Sequence, residues 1–301
     1  MNCKIGIDGG GTKTECILVD ATGAILARHV APGCNPNVAG QDEARAIVST
    51  AITALLAESK IENPSSKISH TCLFMAGLPA FWQEFAATLT GLGRVTSALD
   101  SLPTLELATG GAPGLVIHAG TGSFVAARSP DGAIHYAGGT GWRFGDPGSG
   151  YELGRRAIAR ALLELQGWLP PSRLGPAVRD HTQLGASADA RAVTRYYYSH
   201  AEPNRIIAAL APVVLRLADE GDAVAREVAI ESAGELLALA NHVAEKLFPG
   251  HDPATIPAGL SGALLNHPIV AAALAARTRL TLQPITAAPI EGVRRLLLRE
   301  T

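Results

Sequence analysis

The residues best suited to chemistry begin at Asp8, which ends an apolar run and precedes three glycines, Thr12 and Lys13. Successive glycines allow backbone N–H groups to approach an anion and surround it in a concave nest. An ordinary hairpin turn, in which glycine supplies a positive φ, is the alternative. A second Gly-Thr-Gly-Ser turn at 120–123 favours phosphate binding, because two such turns could hold one nucleotide's phosphates.

Two other phosphate-binding motifs fit this first turn poorly. A Walker A loop requires the pattern GxxxxGK[ST], which does not occur here. A Rossmann turn must open a helix, whereas TECILVD at 14–20 contains branched residues with no helical period. Asp8 could hold Mg²⁺ through water, since Mg²⁺ keeps much of its hydration shell, or it could bond the turn amides.

Asp100 is the candidate base for a hydroxyl acceptor. It follows a strand-like run at 94–99 and precedes a helical segment. Open α/β sheets bind ligands outside the carboxyl ends of their strands, and a carboxylate there could orient or deprotonate a hydroxyl. Asp is also a favoured helix N-cap, so capping is the alternative function of Asp100.

Three further side chains could contact a polar ligand. Asn35, in PGCNPN, can donate and accept together, although Asn-Pro also starts turns. Asp146, in GDPGSG, could bond hydroxyl groups or cap a helix. Trp142 could stack on a sugar face or serve as a core aromatic. The nine histidines show no metal-ligand spacing.

The first third of the chain alternates apolar runs with Gly and Asp turns. Strands are predicted at 4–8, 14–20, 24–31, 70–77 and 94–99, and helices at 41–59 and 79–90. The same order of strand, Gly/Thr turn, strand, short Gly turn and strand begins again near residue 114. This repeat of layout suggests two similar halves, with internal duplication as a hypothesis.

After residue 150 the pattern becomes mainly helical. The second half is predicted to contain strands at 114–119, 124–129, 133–138 and 279–283, and helices at 151–166, 191–200, 205–219, 222–247 and from 289. Residues 255–262 are predicted to form a short strand and a turn that runs into a further helix. Sheets covered by helices in two similar halves indicate an α/β protein.

Composition excludes several classes of protein. Hydrophobic residues form 47% of the 301 residues and charged residues 17%, which indicates a packed globular chain rather than disorder. A net charge of -2 without a basic stripe argues against nucleic-acid binding. The four cysteines form no CxxC pair, so reduced core cysteines are expected. With no signal-peptide pattern and no run of membrane-spanning length, we expect a cytoplasmic protein without a membrane partner.

Three segments in order carry a family resemblance: IGIDGGGTKTECILVD, IHAGTGSF and GGTGWRFGDPGSGYELG. They resemble the N-acetylglucosamine kinase and BadF/BadG/BcrA/BcrD-type ATPase family, within the superfamily of sugar kinases, Hsp70 and actin. The resemblance implies two actin-like ATPase (ribonuclease H-like) domains with a cleft between them. Residues 1–112 would form the first domain, with helix 289–301 packing back on it. Residues 113–288 would form the second domain, with a helical insertion.

The resemblance also implies roles for residues of this sequence. Asp8 would organise Mg²⁺ and Asp100 would be the catalytic carboxylate. The residues implied to bind ATP are Gly9, Gly10, Gly11, Thr12, Lys13, Gly120, Thr121, Gly122, Gly259 and Gly262. Those implied to bind the sugar are Asn35, Thr121, Asp146, Gly148 and Ser149, with Trp142 as the stacking candidate. Leu99 and Phe124 depart from the family, which usually has Asn or Thr before the catalytic Asp and often Asn after GTGS.

The implied activity is phosphorylation of N-acetylglucosamine at O6 with ATP and Mg²⁺, with glucosamine as the alternative acceptor. Some relatives are instead ATPase activators of CoA-ester reductases, but these use cysteines of the second half, and this chain has none after Cys72. A sugar-sensing repressor would require a DNA-binding module, for which no basic helix-turn-helix is found. Related kinases are often dimers, so a homodimer is a further expectation.

Overall fold

The structure is a computed structural model that describes residues 2–61, 63 and 67–299. The chain divides into two compact units, unit 1 with residues 1–111 and 287–301, and unit 2 with residues 112–286. Each unit contains one five-stranded mixed sheet. Among the helices of the described residues, none has the length and apolar character needed to cross a membrane.

The elements follow the predicted alternation of strands and helices. The strands are β1 Cys3–Gly9, β2 Lys13–Val19, β3 Ile25–Pro32, β4 Ile68–Met75, β5 Arg94–Leu99, β6 Gly114–Ala119, β7 Ser123–Arg128, β8 Ile134–Gly138, β9 Pro257–Ser261 and β10 Thr281–Ile285. The helices are α1 Pro36–Ala39, α2 Gln41–Glu58, α3 Pro79–Thr88, α4 Ser101–Thr109, α5 Gly150–Leu165, α6 Leu174–Thr182, α7 Ala190–Ser199, α8 Pro203–Ala208, α9 Ala211–Asp219, α10 Ala223–Leu247, α11 Pro268–Ala275 and α12 Pro289–Arg299.

The two sheets have the same topology. The strand order is β3-β2-β1-β4-β5 in unit 1 and β8-β7-β6-β9-β10 in unit 2. In each sheet the first three strands are antiparallel and the last two join the central strand in parallel. The predicted repeat of layout is therefore confirmed at the level of strand order and direction. Parallel strands place their carboxyl ends at one sheet edge, where ligands bind in such folds.

Helices cover both faces of the unit 1 sheet. On one face, α2 and α3 bury side chains such as Leu55 and Trp82 against β1. On the other face, α12 packs Val293 and Leu297 against β1, β2 and β4. A Cβ at Gly6 would stand 2.2 Å from the Val293 side chain, so glycine allows α12 to lie directly on β1. The four cysteines of this unit are buried free thiols, as expected.

A larger helical layer covers the unit 2 sheet. The 25-residue helix α10 packs on β6 and β7 and buries Leu236, Leu237 and Ala240. Helices α5 to α9 extend this core, whose largest buried side chains include Leu153 and Leu174.

The helices differ from the prediction in two places. The helix predicted at 205–219 is two helices, α8 and α9, because Pro212 lies in the first turn of α9, where its missing N–H does no harm. Helix α6 was not predicted, since its sequence LGPAVRDHT contains Gly and Pro; burial of Leu174 and Val178 stabilises it. Helix α12 is described to Arg299, so the last two residues of the predicted 289–301 segment lie outside the described residues.

Candidate active site

The first glycine-rich loop is a tight hairpin between β1 and β2. The backbone N–H of Gly10 donates to the carbonyl of Lys13 at 2.9 Å. The Gly10 carbonyl accepts the N–H of Cys34 at 3.0 Å, which joins the hairpin to the segment after β3. Gly11 and Thr12 at the tip are exposed. A phosphate could reach this tip, although the Gly10 N–H is already used within the hairpin.

A left-handed backbone does not explain why these loops contain glycine. None of the glycines in the 9–12 and 120–123 loops has a positive φ. A Cβ at Gly33 would stand 2.2 Å from the carbonyl oxygen of Gly11, so the strand-end segment and the hairpin touch through backbone alone. Positive φ, the property of the hairpin alternative, is therefore not the reason for these glycines.

Asp8 and Asp100 lie at the carboxyl ends of β1 and β5, two parallel strands of one sheet. Burial, and then the charge of Asp100, raise the pKa of Asp8 to about 7. Burial likewise raises the pKa of Asp100 to about 6. Asp100 occupies the N-cap position of α4 without a regular side-chain capping hydrogen bond. Hydrogen bonds from the backbone of Asp100 and Ser101 oppose the rise in the Asp100 pKa, and the charge of Lys13 opposes the rise in the Asp8 pKa, but burial prevails at both groups.

Lys13, expected beside the transferred phosphate, forms an ion pair within β2. Its Nζ lies 2.9 Å from Oε2 of Glu15, a carboxylate that is 1% exposed. Arg28 pairs with the other oxygen of Glu15. Lys13 itself remains exposed, so its ammonium can also face a ligand. Glu15 was not predicted from the sequence as part of the site.

Asn35 has the turn-starting function that its sequence suggested. It is the N-cap of the short helix α1, where its Oδ1 accepts the N–H of Asn37 at 2.9 Å. The same Oδ1 packs against Gly77 at the end of β4, where a Cβ would stand 2.6 Å from it. The cap uses the oxygen alone, which leaves the Nδ2 donor for a ligand hydroxyl.

The second glycine loop, in unit 2, joins β6 to β7. The N–H of Gly120 donates to the carbonyl of Gly122 at 2.8 Å, and the Gly120 carbonyl accepts the N–H of Gly150 at 2.8 Å. The loop is thereby fixed to the first residue of α5. A Cβ at Gly122 would stand 3.1 Å from Oδ2 of Asp146, so this carboxylate lies directly beside the loop.

Asp146 is not the cap of the following helix. Ser149 caps α5, its Oγ accepting the N–H of Glu152 at 3.0 Å. Asp146 is 5% exposed and accepts the N–H of Gly141 at 3.2 Å; burial raises its pKa. Gly148 has φ +74° and packs against Leu236 of α10. The 141–149 segment is thus a folded loop that places a buried carboxylate beside the second glycine loop.

Trp142 lines an open pocket rather than the core. The pocket has a volume of about 670 Å³ and includes Tyr151, Arg143 and Phe144. The Trp142 ring lies 5.4 Å from that of Tyr151, and the Arg143 guanidinium lies 5.2 Å from the Trp142 centroid. A planar indole in a polar pocket is suited to stacking on a sugar ring.

Gly259 and Gly262, two of the glycines implied to bind ATP, occupy different environments. Gly259 lies inside the sheet, paired with β6 and β10. Gly262 follows β9 with φ +103°, and a Cβ there would stand 1.8 Å from the carbonyl oxygen of Ala119. Gly262 therefore borders the second glycine loop, whereas Gly259 lies within β9.

Comparison with known proteins identifies the family of this chain. The model of the BadF/BadG/BcrA/BcrD ATPase family matches residues 5–275. The chain belongs to this family. Its fold is the actin-like ATPase α/β fold, with two five-stranded sheets.

Three relatives illustrate the similarity. N-acetyl-D-glucosamine kinase of Dictyostelium discoideum is 29% identical, over 81% of this chain and 79% of the relative. N-acetylmuramic acid/N-acetylglucosamine kinase of Clostridium acetobutylicum is 27% identical, over 82% and 81%. A crystal structure from Chromobacterium violaceum, of a protein provisionally named N-acetylglucosamine kinase, has TM-score 0.79 and 29% identity, covering 99% of both chains.

The residues of unit 1 fit the magnesium ion that accompanies ATP in such enzymes. Mg²⁺ is commonly bound by one or two carboxylates together with substrate phosphates and water. Asp8 provides such a carboxylate, and the nearby charge of Asp100 adds to the negative potential there. The described residues contain no group of three or more His, Cys, Asp or Glu that could hold a metal without the nucleotide.

Sequence reasoning missed three residues that shape the site. Gly33 had no motif to mark it, because its contact with Gly11 depends on the tertiary fold. Glu15 follows Lys13 by two positions on β2, and this spacing on one strand face was the available signal. His118, two residues before the Gly120 turn, hydrogen-bonds to Ser261 at 3.0 Å, a partner that only the tertiary fold brings near.

Proposed function

We propose that this chain is an ATP-dependent amino-sugar kinase that transfers the γ-phosphate to O6 of N-acetylglucosamine. The observation that carries the proposal is the pair of half-buried carboxylates, Asp8 and Asp100, at the carboxyl edge of the unit 1 sheet. Family membership and the names of two curated relatives support an amino sugar as the acceptor.

Asp100 is the base in this proposal. A pKa of about 6 leaves most of the carboxylate ionised at neutral pH while it still binds a proton readily. Asp100 accepts the proton of the sugar hydroxyl as the hydroxyl oxygen bonds to the γ-phosphorus. The bond from the γ-phosphorus to the bridging oxygen breaks, and ADP leaves with that electron pair.

The other residues position the two substrates. Asn35 donates from Nδ2 to a sugar hydroxyl, Asp146 accepts from another, and Trp142 stacks on the ring, with Gly148 and Ser149 shaping the loop. The tip of the 9–12 hairpin, Lys13 and the 120–122 loop bind the phosphates, and Gly262 borders the adenosine. Asp8 would hold Mg²⁺ through water, and the ion would neutralise charge on the β- and γ-phosphate oxygens.

A screen of ADP release tests this function. The purified chain is incubated with MgATP and N-acetylglucosamine, glucosamine, N-acetylmuramic acid or glucose. We expect the highest kcat/KM with N-acetylglucosamine, and NMR of the product should show phosphorus coupled to the C6 protons. The 6-deoxy sugar should give no product. Release of ADP at the sugar-free rate with every hexosamine would overturn the proposal.

Glucosamine is the second candidate acceptor. Phe124 stands where many family members have Asn after GTGS, and its ring is packed between His118 and Tyr136. The side chain at this position therefore offers no amide to an acetamido group. A kcat/KM for glucosamine above that for N-acetylglucosamine would select this alternative and leave the kinase assignment intact.

A further inference from the structure

His118 is the last polar side chain of β6 before the second glycine loop, and its ring is held on two sides. Its Nδ1 lies 3.0 Å from Oγ of Ser261, the last residue of β9. Its ring stacks on that of Phe124, the directly paired residue of β7, with centroids 4.8 Å apart and planes 23° apart. Strands on both sides of β6 thus fix the orientation of the imidazole.

The other ring nitrogen points toward the phosphate loop. A Cβ at Gly120 would stand 3.2 Å from His118 Nε2, so this nitrogen lies against the first loop residue. Within the described residues Nε2 has no hydrogen-bond partner, yet it is not among the buried unpaired atoms. It is therefore open to solvent or to a ligand on the loop side.

One of the two neutral tautomers of the ring makes this nitrogen a donor. Burial lowers the pKa of His118 to about 4, so the ring is neutral at physiological pH and carries one N–H. The Ser261 hydroxyl can donate to Nδ1, which leaves the proton on Nε2. An N–H directed at an anion-binding loop is suited to a phosphate oxygen.

We propose that His118 is a further phosphate-binding residue, whose Nε2–H donates to a phosphate oxygen of the nucleotide at loop 120–122. Ser261 acts as its positioning residue and couples the phosphate loop to the β9 segment that ends at Gly262. Phe124 supports the ring from the other side, which gives a packing reason for its departure from the family pattern. The proposal rests on the proposed nucleotide role of the 120–122 loop.

Calorimetric titration of the full chain with MgATP, and separately with N-acetylglucosamine, tests this role. We expect His118→Phe to weaken MgATP binding by about tenfold to a hundredfold, the value of a hydrogen bond to a charged group, and to leave sugar binding unchanged. Ser261→Ala should have a smaller effect of the same kind. His135→Phe, a histidine of β8 that contacts Ser129 in the same sheet, is the matched control.

Two conservative variants separate contact from folding. His118→Gln can place an amide N–H near the former Nε2, whereas His118→Asn reaches only the Nδ1 position. We expect His118→Gln to bind MgATP several-fold more tightly than His118→Asn, at similar melting temperatures. Equal MgATP affinity of the wild type and His118→Asn would overturn the proposal, as would an equal loss in the Gln and Asn variants.

The binding measurements can refute the role of His118 separately from the proposed kinase activity. A wild type that binds MgATP but phosphorylates no hexosamine would refute the activity and leave the histidine comparison valid. A wild type that binds no nucleotide would refute both. Unchanged MgATP affinity in His118→Phe, together with normal sugar turnover, would refute the role of His118 alone.

Discussion

Asp8 and Asp100 lie at the same edge of the unit 1 sheet, and the charge of Asp100 adds to burial in raising the pKa of Asp8 to about 7. Ionised carboxylates that are disfavoured by burial, and at Asp8 also by a neighbouring charge, are costly in the unliganded protein. That cost is explained if a cation and a substrate hydroxyl occupy the site during the reaction.

The carboxylate pair should therefore destabilise the unliganded protein at high pH. Both groups have a higher pKa folded than unfolded, so the folded state binds more protons and the free energy of unfolding falls as pH rises from about 4 through 7. In buffer without metal or nucleotide, Asp100→Asn should raise the melting temperature at about pH 8 by ~2 °C or more, and less at about pH 5.

Asp20 provides a control of opposite sign in the same unit. Its hydrogen bond from the Thr22 hydroxyl lowers the pKa of Asp20. The stabilisation that the ionised Asp20 carboxylate provides is present above its unfolded-state pKa and is lost as pH falls. Asp20→Asn should therefore lower the melting temperature at about pH 8. If the melting temperature of Asp100→Asn at high pH is below that of the wild type, ionised Asp100 does not destabilise the unliganded protein and this prediction is wrong.

Substitution of Asn35 should separate its two functions. Asn35→Asp keeps an oxygen to accept the N–H of Asn37 and cap α1, but removes the Nδ2 donor. We expect KM for the sugar to rise about tenfold, the value of one hydrogen bond, with the melting temperature and KM for ATP unchanged. Asn37→Asp is the matched control, since Asn37 is exposed in the same helix. An unchanged KM for the sugar would remove Asn35 from the binding site.

Gly33 should tolerate no side chain. A Cβ there would stand 2.2 Å from the Gly11 oxygen and 2.7 Å from the Thr12 nitrogen, and these backbone atoms cannot rotate away. Gly33→Ala should cost about 1–3 kcal/mol of stability and weaken MgATP binding, because the hairpin must move. In urea unfolding, Gly11→Ala is the stability control, since a Cβ at Gly11 meets nothing within 4 Å. Equal stability of the two variants would show that the contact is unimportant.

The sequence predicted the sheets better than the helices because their signals differ in kind. Strands β5 and β6 were predicted with their observed bounds, since Gly and Asp turns enclose short apolar runs. Helix α6 has a poor helical sequence and forms because Leu174 and Val178 are buried, which no local pattern reveals. The same tertiary dependence hid the Gly33 contact.

The candidate site was predictable where residue type and strand end coincide. Asp8 and Asp100 each follow an apolar strand, so their common sheet edge followed from the parallel topology. Sequence could not decide whether Asp100 caps its helix, since a cap and a free carboxylate have the same neighbours along the chain; the structure shows no capping bond. Nor could it find His118, whose partner Ser261 is 143 residues away.

Turnover and nucleotide affinity of Asp100→Asn, measured on one preparation, test the central claim most directly. The amide keeps the shape of the side chain but cannot accept the hydroxyl proton. We predict that kcat with the sugar falls by about 10²–10⁴-fold, the value of a positioned base, while the dissociation constant for MgATP stays within about threefold of the wild type. A kcat close to that of the wild type would contradict the assignment of Asp100 as the base.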